Sequence, residues 1–231
     1  MTRIALIHAL SHSVGPINDA FEQDWPQAVR MNLLDDSLSA DLARGSHGLD
    51  AAMHRRFEVL ADYAVATGAQ ALLFTCSAFG PCIAAVAARH ADIPVLRPNE
   101  AMVAEALQQP GKIGLIATFA PTLKSMPPEF GPDADLVPAL AEGALQAMNA
   151  GDLARHDALI AAQARRLRDQ GCTRIALAQF SMARARAVCE QASGLPVLTT
   201  VDSAVRALKN ALCSSIAESA SQGQSHRSRA A

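Results

Sequence analysis

Short apolar runs recur along the chain, and longer stretches that mix apolar and polar residues lie between them. The first half contains RIALIHAL from Arg3, AVRMNLL from Ala28, ALLFT from Ala71 and PVLRP from Pro94. The second half contains KIGLIAT from Lys112, DLVPAL from Asp135, RIALAQF from Arg174 and PVLTT from Pro196. Apolar runs of this length between turn residues are typical of β-strands in a buried sheet.

The two sets of runs are spaced alike. Each run of the first half is followed by its counterpart 102 to 109 residues later. Self-similarity at a nearly constant offset indicates an internal duplication, which is a stronger signal than any single strand assignment.

Between the runs, apolar positions repeat with the period of a helix. In the first half the stripe ends at Gly68 and contains Leu49, Met53, Phe57, Leu60, Ala61 and Ala64. In the second half it ends at Gly171 and contains Leu153, Ile160, Ala164 and Leu167. The alternation predicts an α/β fold of two pseudo-symmetric doubly wound lobes, each with a mainly parallel sheet of about four strands.

The predicted lobes divide the chain near its middle. We assign residues 1–99, with a final helix at about 203–219, to the first lobe, and residues 111–200 to the second. A helix from about Glu100 to Leu107 links them, and the polar residues 220–231 are expected to form a flexible tail. A cleft between facing strand ends is the expected place for a small ligand.

The composition limits the partners and the cofactors. A net charge of −2 over 231 residues provides no electrostatic basis for binding nucleic acid or an anionic membrane. Five cysteines, an odd number without a C-x-x-C pair, argue against a disulfide framework and a zinc site and favour a reduced, cytoplasmic compartment. The chain has no glycine-rich nucleotide motif, so we expect it to bind no dinucleotide and no nucleoside triphosphate. No metal is assigned to it either, and a homo-oligomer is left open.

One thiol stands where the third strand is expected to end and a helix to begin. Cys76 lies between Thr75 and Ser77, just before that helix. A helix N-terminus can lower the pKa of a thiol toward the value that general acid–base catalysis requires. The same N-terminal amides and the two neighbouring hydroxyls could hold a carboxylate. We therefore assign Cys76 as the acid/base, and Thr75 and Ser77 as substrate contacts.

The duplication identifies the matching position in the second lobe. Cys76 lies eight residues after Gly68, and Gln179 lies eight residues after Gly171, with Ser181 two residues further on. Three more polar residues stand at predicted strand ends and are assigned to substrate binding with Gln179: His8, Asn99 and Thr118.

With these motifs the sequence resembles the Asp/Glu racemase superfamily, which includes amino-acid and hydantoin racemases, maleate isomerase and arylmalonate decarboxylase. The likeness rests on FTCSAFG, IPVLRPNEAM, GKIGLIATF and LAQFSMARA, and covers residues 3 to about 210. It implies a two-lobed fold and cofactor-free proton transfer at the carbon next to the carboxylate of a small acid, an amino acid or a related compound. In the two-base racemases of the family, one cysteine from each lobe flanks that carbon.

The sequence departs from the two-cysteine pattern at Gln179, because an amide cannot carry a proton near neutral pH. Several functions therefore remain open. One is a racemase or isomerase whose second acid/base is Ser181, water or another group, and another is a one-cysteine decarboxylase of a malonate-like acid. A hydrolase with Cys76 as nucleophile and His8 or His12 as base, and a non-catalytic binding protein, are the remaining alternatives.

Overall fold

Eight strands form two parallel sheets in the computed structural model, which describes residues 2–44 and 48–227. The first sheet has the order β2-β1-β3-β4, and the second has the order β6-β5-β7-β8. The strands are β1 Arg3–His8, β2 Val29–Leu34, β3 Ala71–Phe74, β4 Val95–Leu96, β5 Ile113–Ala117, β6 Leu136–Leu140, β7 Arg174–Leu177 and β8 Val197–Thr199. The two-lobed α/β architecture predicted from the apolar runs is confirmed.

Helices connect the strands and cover both sheets. They are α1 Val14–Asp24, α2 Ser37–Arg44, α3 Ala51–Ala66, α4 Gly80–Arg89, α5 Glu100–Leu107, α6 Thr122–Ser125, α7 Ala144–Asn149, α8 Leu153–Asp169, α9 Arg186–Ser193 and α10 Thr200–Arg227. Four short 3-10 turns lie at Ser11–Ser13, Ser77–Phe79, Pro127–Phe130 and Phe180–Ala185. In the described part of the chain, no helix combines the length and the apolar character that a membrane span requires.

The two sheets repeat one another down to single hydrogen bonds. In the first sheet the backbone N–H of Thr75 donates to the carbonyl of Ile7 at 3.1 Å. In the second, the N–H of Ala178 donates to the carbonyl of Ile116 at 2.9 Å. These bonds close the pairing of the two central strands just before Cys76 and Gln179, so the two residues occupy equivalent places.

Alternation along the strands produces a core on each face of each sheet. In β1, Ile4 and Leu6 pack toward α1 and α10, whereas Ala5 and Ile7 pack toward α3 and α4. Successive side chains of a strand point to opposite faces, so a strand that is apolar throughout needs helices on both sides.

Two helices cross from one lobe to the other. Helix α5 follows the first sheet but packs on the second, and α10 follows the second sheet but packs on the first. Glu105 of α5 also bonds Arg206 of α10 at 2.7 Å, a partly exposed ion pair that adds at most about 1 kcal/mol of stability. The exchange of apolar contacts therefore holds the lobes together.

The last helix is longer than the sequence indicates. It begins at Thr200 rather than at about Ser203 and is described to Arg227. Residues 220–227 of the predicted flexible tail are helical here, and residues 228–231 lie outside the described residues.

Candidate active site

A small cleft of about 160 Å³ lies between the lobes, at the carboxyl ends of the central strands. Six of the eight predicted site residues line it: Thr75, Cys76, Ser77, Asn99, Gln179 and Ser181. The other lining residues are Leu10, His12, Ser13, Pro98, Thr122, Ala178 and Phe180. None of the described lining residues is Asp, Glu, Lys or Arg, so the cleft offers mainly neutral hydrogen-bonding groups.

Cys76 lies two residues beyond the end of β3. Its backbone is still extended (φ −128°, ψ 118°) and the chain then enters the 3-10 turn that leads into α4. Burial raises the pKa of the thiol, while hydrogen bonds from the backbone of Ala78 and the side chain of Ser39 act in the opposite direction. The expectation that the following helix lowers this pKa is wrong, because loss of water outweighs the nearby donors.

Gln179 faces the cleft from the equivalent position of the second lobe. Its backbone is also extended (φ −138°, ψ 144°), and a 3-10 turn follows. Its Oε1 accepts hydrogen bonds from the backbone N–H of Thr118 at 2.7 Å and from the Thr118 hydroxyl at 2.9 Å. A backbone N–H can only donate, so this contact fixes the amide orientation and leaves the NH₂ group for the cleft.

Thr118 is therefore placed differently from the sequence-based assignment. It is buried and does not line the cleft. Both its backbone N–H and its hydroxyl point at Gln179, so it orients that amide rather than contacting a ligand itself.

His8 is likewise not at the cleft surface. Because β1 alternates, His8 shares a face with Ile4 and Leu6 and is fully buried. Its Nδ1 lies 2.9 Å from the Ser13 hydroxyl and 3.0 Å from the Thr75 hydroxyl, and its Nε2 lies 3.0 Å from Asn32 Oδ1. Both ring nitrogens are thus engaged, which argues against His8 as the base of a cysteine hydrolase.

Ser13 is the site residue that the sequence did not single out. It is buried, lines the cleft and lies 2.8 Å from the Thr75 hydroxyl. The only sequence signal for Ser13 was its place in the polar segment after β1. That signal could not show that strands β1, β2 and β3 bring Ser13, Asn32 and Thr75 together around His8.

One lining residue, Asn99, is hydrogen-bonded to a carboxyl group that does not itself line the cleft. Asn99 is buried and donates a 3.3 Å hydrogen bond to Glu129 of the second lobe. Desolvation raises the pKa of Glu129; the Asn99 bond and the charge of Arg97 lower it, and the charge of Glu100 raises it. Arg97 is exposed and pairs with Glu100 at 3.5 Å, outside the cleft.

We expect His8 to make the fold sensitive to mild acid. Burial lowers the pKa of His8, with the Asn32 hydrogen bond opposing it. The unfolded chain then binds the proton more readily, so the free energy of unfolding falls as the pH drops below about 6.5. Urea unfolding at about pH 7.5 and about pH 5 should show this loss. The loss should be smaller in His8→Asn than in the control His54→Asn, and equal losses in both would contradict the prediction.

A family model fits most of this architecture. The model of the Asp/Glu/hydantoin racemase family matches residues 15–208. The chain belongs to this family. No curated protein matches the chain by sequence.

Solved structures of racemases share the fold of this family member. An allantoin racemase from Klebsiella pneumoniae has a TM-score of 0.68 at 15% identity, covering 92% of this chain and 88% of its own. A glutamate racemase from Bacillus anthracis has a TM-score of 0.66 at 13% identity, covering 93% and 82%. An aspartate racemase homologue from Pyrococcus horikoshii has a TM-score of 0.70 at 12% identity, covering 91% and 98%. Family membership supports a racemase-type isomerase activity.

Within the described residues, no three His, Cys, Asp or Glu side chains are grouped closely enough to hold a metal ion.

Proposed function

We propose that this protein is a cofactor-independent racemase-type isomerase that moves a proton at the carbon next to the carboxylate of a small acid. Cys76 is its acid/base. The observation that supports this is the position of the Cys76 thiol, which lies in the interlobe cleft at the strand end that the duplication pairs with Gln179. A ligand between the lobes would have Cys76 on one side and the Gln179 amide on the other.

In this mechanism the Cys76 thiolate takes the α-proton. The C–H bond breaks, an S–H bond forms, and the electron pair moves onto the carboxylate oxygens. Neutral donors can stabilise that charge in a site with little water, and the Gln179 NH₂ group and the Ser77 hydroxyl are available for this. In a one-base mechanism, Cys76 returns a proton to the same face, and the carbon exchanges its hydrogen with retained configuration. Racemisation requires a proton donor on the opposite face, and Ser181 and water are the candidates for it.

The raised pKa of Cys76 sets the pH at which this base acts. At neutral pH most of the thiol is protonated, so the thiolate is scarce but strongly basic once formed. The rate of α-proton removal should therefore increase with pH through the ordinary range of a cysteine and beyond it.

The raised pKa of Cys76 also favours a second candidate function, that of a decarboxylase of a malonate-like acid. A buried thiol that stays protonated is suited to donate a proton, and it faces an amide that cannot ionise. Loss of carbon dioxide breaks a C–C bond and leaves its electron pair on the carbon. Cys76 S–H then protonates that carbon, and water returns a proton to the sulfur.

One NMR experiment in deuterated water separates the two reactions. The panel holds aspartate, glutamate, N-carbamoyl amino acids and 2-substituted malonates, together with allantoin, which has a ring carbonyl in place of the carboxylate. Three of these compounds are included because the named structural neighbours are a glutamate racemase, an allantoin racemase and an aspartate racemase homologue. Racemase chemistry places deuterium at the α-carbon without loss of carbon. Its rate should increase with pH up to and beyond about pH 9. Decarboxylation releases carbon dioxide at a rate that is level near neutral pH and falls above about pH 9. The proposal is refuted if no compound in the panel is deuterated and none releases carbon dioxide.

A further inference from the structure

We infer that His8, held in one tautomer by Asn32, makes Ser13 and Thr75 hydrogen-bond acceptors toward the cleft, so that the cleft selects a small acid whose α-substituent carries an uncharged N–H group. His8 is in this view a positioning residue that determines specificity through two hydroxyls. The inference deepens the proposed function, because it names the class of acid that the same cleft would bind.

The tautomer can be deduced from a backbone carbonyl. Asn18 Nδ2 lies 2.7 Å from the carbonyl oxygen of Val14, which can only accept, so this atom must be the amide nitrogen. The same nitrogen lies 2.9 Å from Asn32, so the Asn32 atom there must be its oxygen. The orientations of both amides are thereby fixed by the hydrogen-bond network.

The Asn32 oxygen in turn fixes the histidine. It lies 3.0 Å from His8 Nε2, so Nε2 carries the hydrogen and donates it. In a neutral imidazole the other nitrogen then has a free lone pair, and Nδ1 accepts from Ser13 or Thr75. Burial favours this neutral form by lowering the pKa of His8.

The two hydroxyl hydrogens can both be used inside the protein. Ser13 Oγ lies 2.8 Å from the carbonyl of Leu10, and Thr75 Oγ1 lies 3.0 Å from His8 Nδ1. In the alternative arrangement Ser13 donates to His8 and Thr75 donates to Ser13 at 2.8 Å. Either arrangement leaves only oxygen lone pairs for the cleft. Protonation of His8 would weaken this, because Nδ1–H would donate to one of the two hydroxyl oxygens and occupy a lone pair that the neutral histidine leaves for the cleft.

The two walls of the cleft therefore differ in the hydrogen-bonding groups that they offer. Ser13 and Thr75 offer acceptors from the first lobe, and Gln179 offers its NH₂ group from the second. An amide or ureido N–H next to a carboxylate matches both walls. An α-ammonium group would meet no carboxylate among the described lining residues, and an unpaired charge is costly to remove from water.

Other titratable groups lie near His8 and must be followed in any pH measurement. The backbone N–H of Asp35 donates to the His8 carbonyl at 3.0 Å, and Asp35 is paired with Arg56 of α3 at 2.7 Å. Cys76 and His8 both border a narrow gap at the ends of β1 and β3. The elements around His8 also carry His12 after β1, Asp19, Glu22 and Asp24 on α1, Arg30 on β2, and Asp41 and Arg44 on α2.

The tautomer is tested first, without any ligand, by ¹⁵N NMR of histidine-labelled protein. The His8 signals are assigned by their loss in His8→Asn. We expect Nε2 to be protonated and Nδ1 to be free at about pH 7.5. In Asn32→Asp, an exposed carboxylate next to Nε2 should favour the imidazolium and raise the His8 midpoint by at least about one pH unit. His54→Asn serves as the control and should leave the His8 midpoint unchanged.

The selectivity is tested with N-acetylglycine and N-acetylsarcosine, which differ only by replacement of the N–H with N–CH₃. Titrations are followed by NMR. One hydrogen bond predicts that the wild-type protein binds N-acetylglycine at least about fivefold more tightly. In Asn32→Asp, at one pH unit below its own His8 midpoint, the ratio should fall below about twofold, because His8 then holds its proton. In His8→Asn, whose amide oxygen can replace Nδ1 as the acceptor, part of the preference should return.

The outcomes separate this inference from the proposed function. A proton on Nδ1, equal affinities in the wild-type protein, or binding of neither acid would overturn the inference. A clear N–H preference without α-deuteration of any acid in the panel would count against the proposed function alone.

Discussion

Cys76→Ser should reduce kcat by about 10²- to 10⁴-fold, because the substitution removes the only thiol that lines the described cleft. A serine hydroxyl fills nearly the same space and keeps a hydrogen-bonding group next to Ala78. Its pKa, however, is far above that of a thiol, so it neither gives nor takes the α-proton at a useful rate. The activity to measure is α-deuteration or carbon dioxide release, whichever the wild-type protein shows.

The control for this prediction is Cys213→Ser. Cys213 is exposed on α10 and lies outside the cleft, so its substitution should leave kcat within about twofold. Both variants should retain cooperative thermal unfolding, which excludes loss of fold as the cause. A Cys76→Ser protein with wild-type kcat would remove Cys76 from the mechanism, and both reactions proposed above would fail with it.

The sequence was a reliable guide to the fold because the fold depends on period and spacing. Strands β3 and β7 are buried on both faces, so they appear as continuous apolar runs, and their equivalence follows from their distance to Gly68 and Gly171. The α/β alternation then permits few topologies. The packing of α5 and α10 on the sheet of the other lobe was harder to predict from the sequence, because the apolar face of a helix does not specify which sheet it covers.

For the site, the sequence located strand ends but not the directions of side chains. Six assigned residues line the cleft, whereas His8 and Thr118 stand behind it. Asn32 gave one signal that could have been used, because it is a polar residue in the apolar run VRMNLL. Its partner His8 is 24 positions away, and only the pairing of β1 with β2 brings the two together.

The pKa of Cys76 shows why local sequence is a poor guide to electrostatics. The sequence indicates a helix start, which stabilises a thiolate. The structure adds burial by apolar neighbours that are distant in sequence, and this raises the pKa against the opposing hydrogen bond from Ser39 of α2. Desolvation depends on the complete tertiary environment of the sulfur, so a reading of residues 71–81 alone could not include it.

Gln179→Cys should create racemisation, or increase it at least about tenfold, if the wild-type protein has a thiol on one side of the carbon only. Two-base inversion requires an acid/base on each face, and position 179 is the structural equivalent of position 76. In the wild-type protein a single enantiomer should then gain deuterium at the α-carbon and keep its optical rotation. In the variant, deuteration should be accompanied by loss of rotation.

The matched control is Gln179→Ala, because both substitutions remove the amide that accepts from Thr118 and differ only in the thiol. The unpaired Thr118 N–H costs about 1–3 kcal/mol of stability in each, so any difference in racemisation belongs to the sulfur. Ser181 also lines the cleft, and Ser181→Ala tests it as the natural second acid/base. Efficient racemisation by the wild-type protein that is lost in Ser181→Ala but kept in Gln179→Ala would contradict the one-base mechanism and assign the second proton transfer to Ser181.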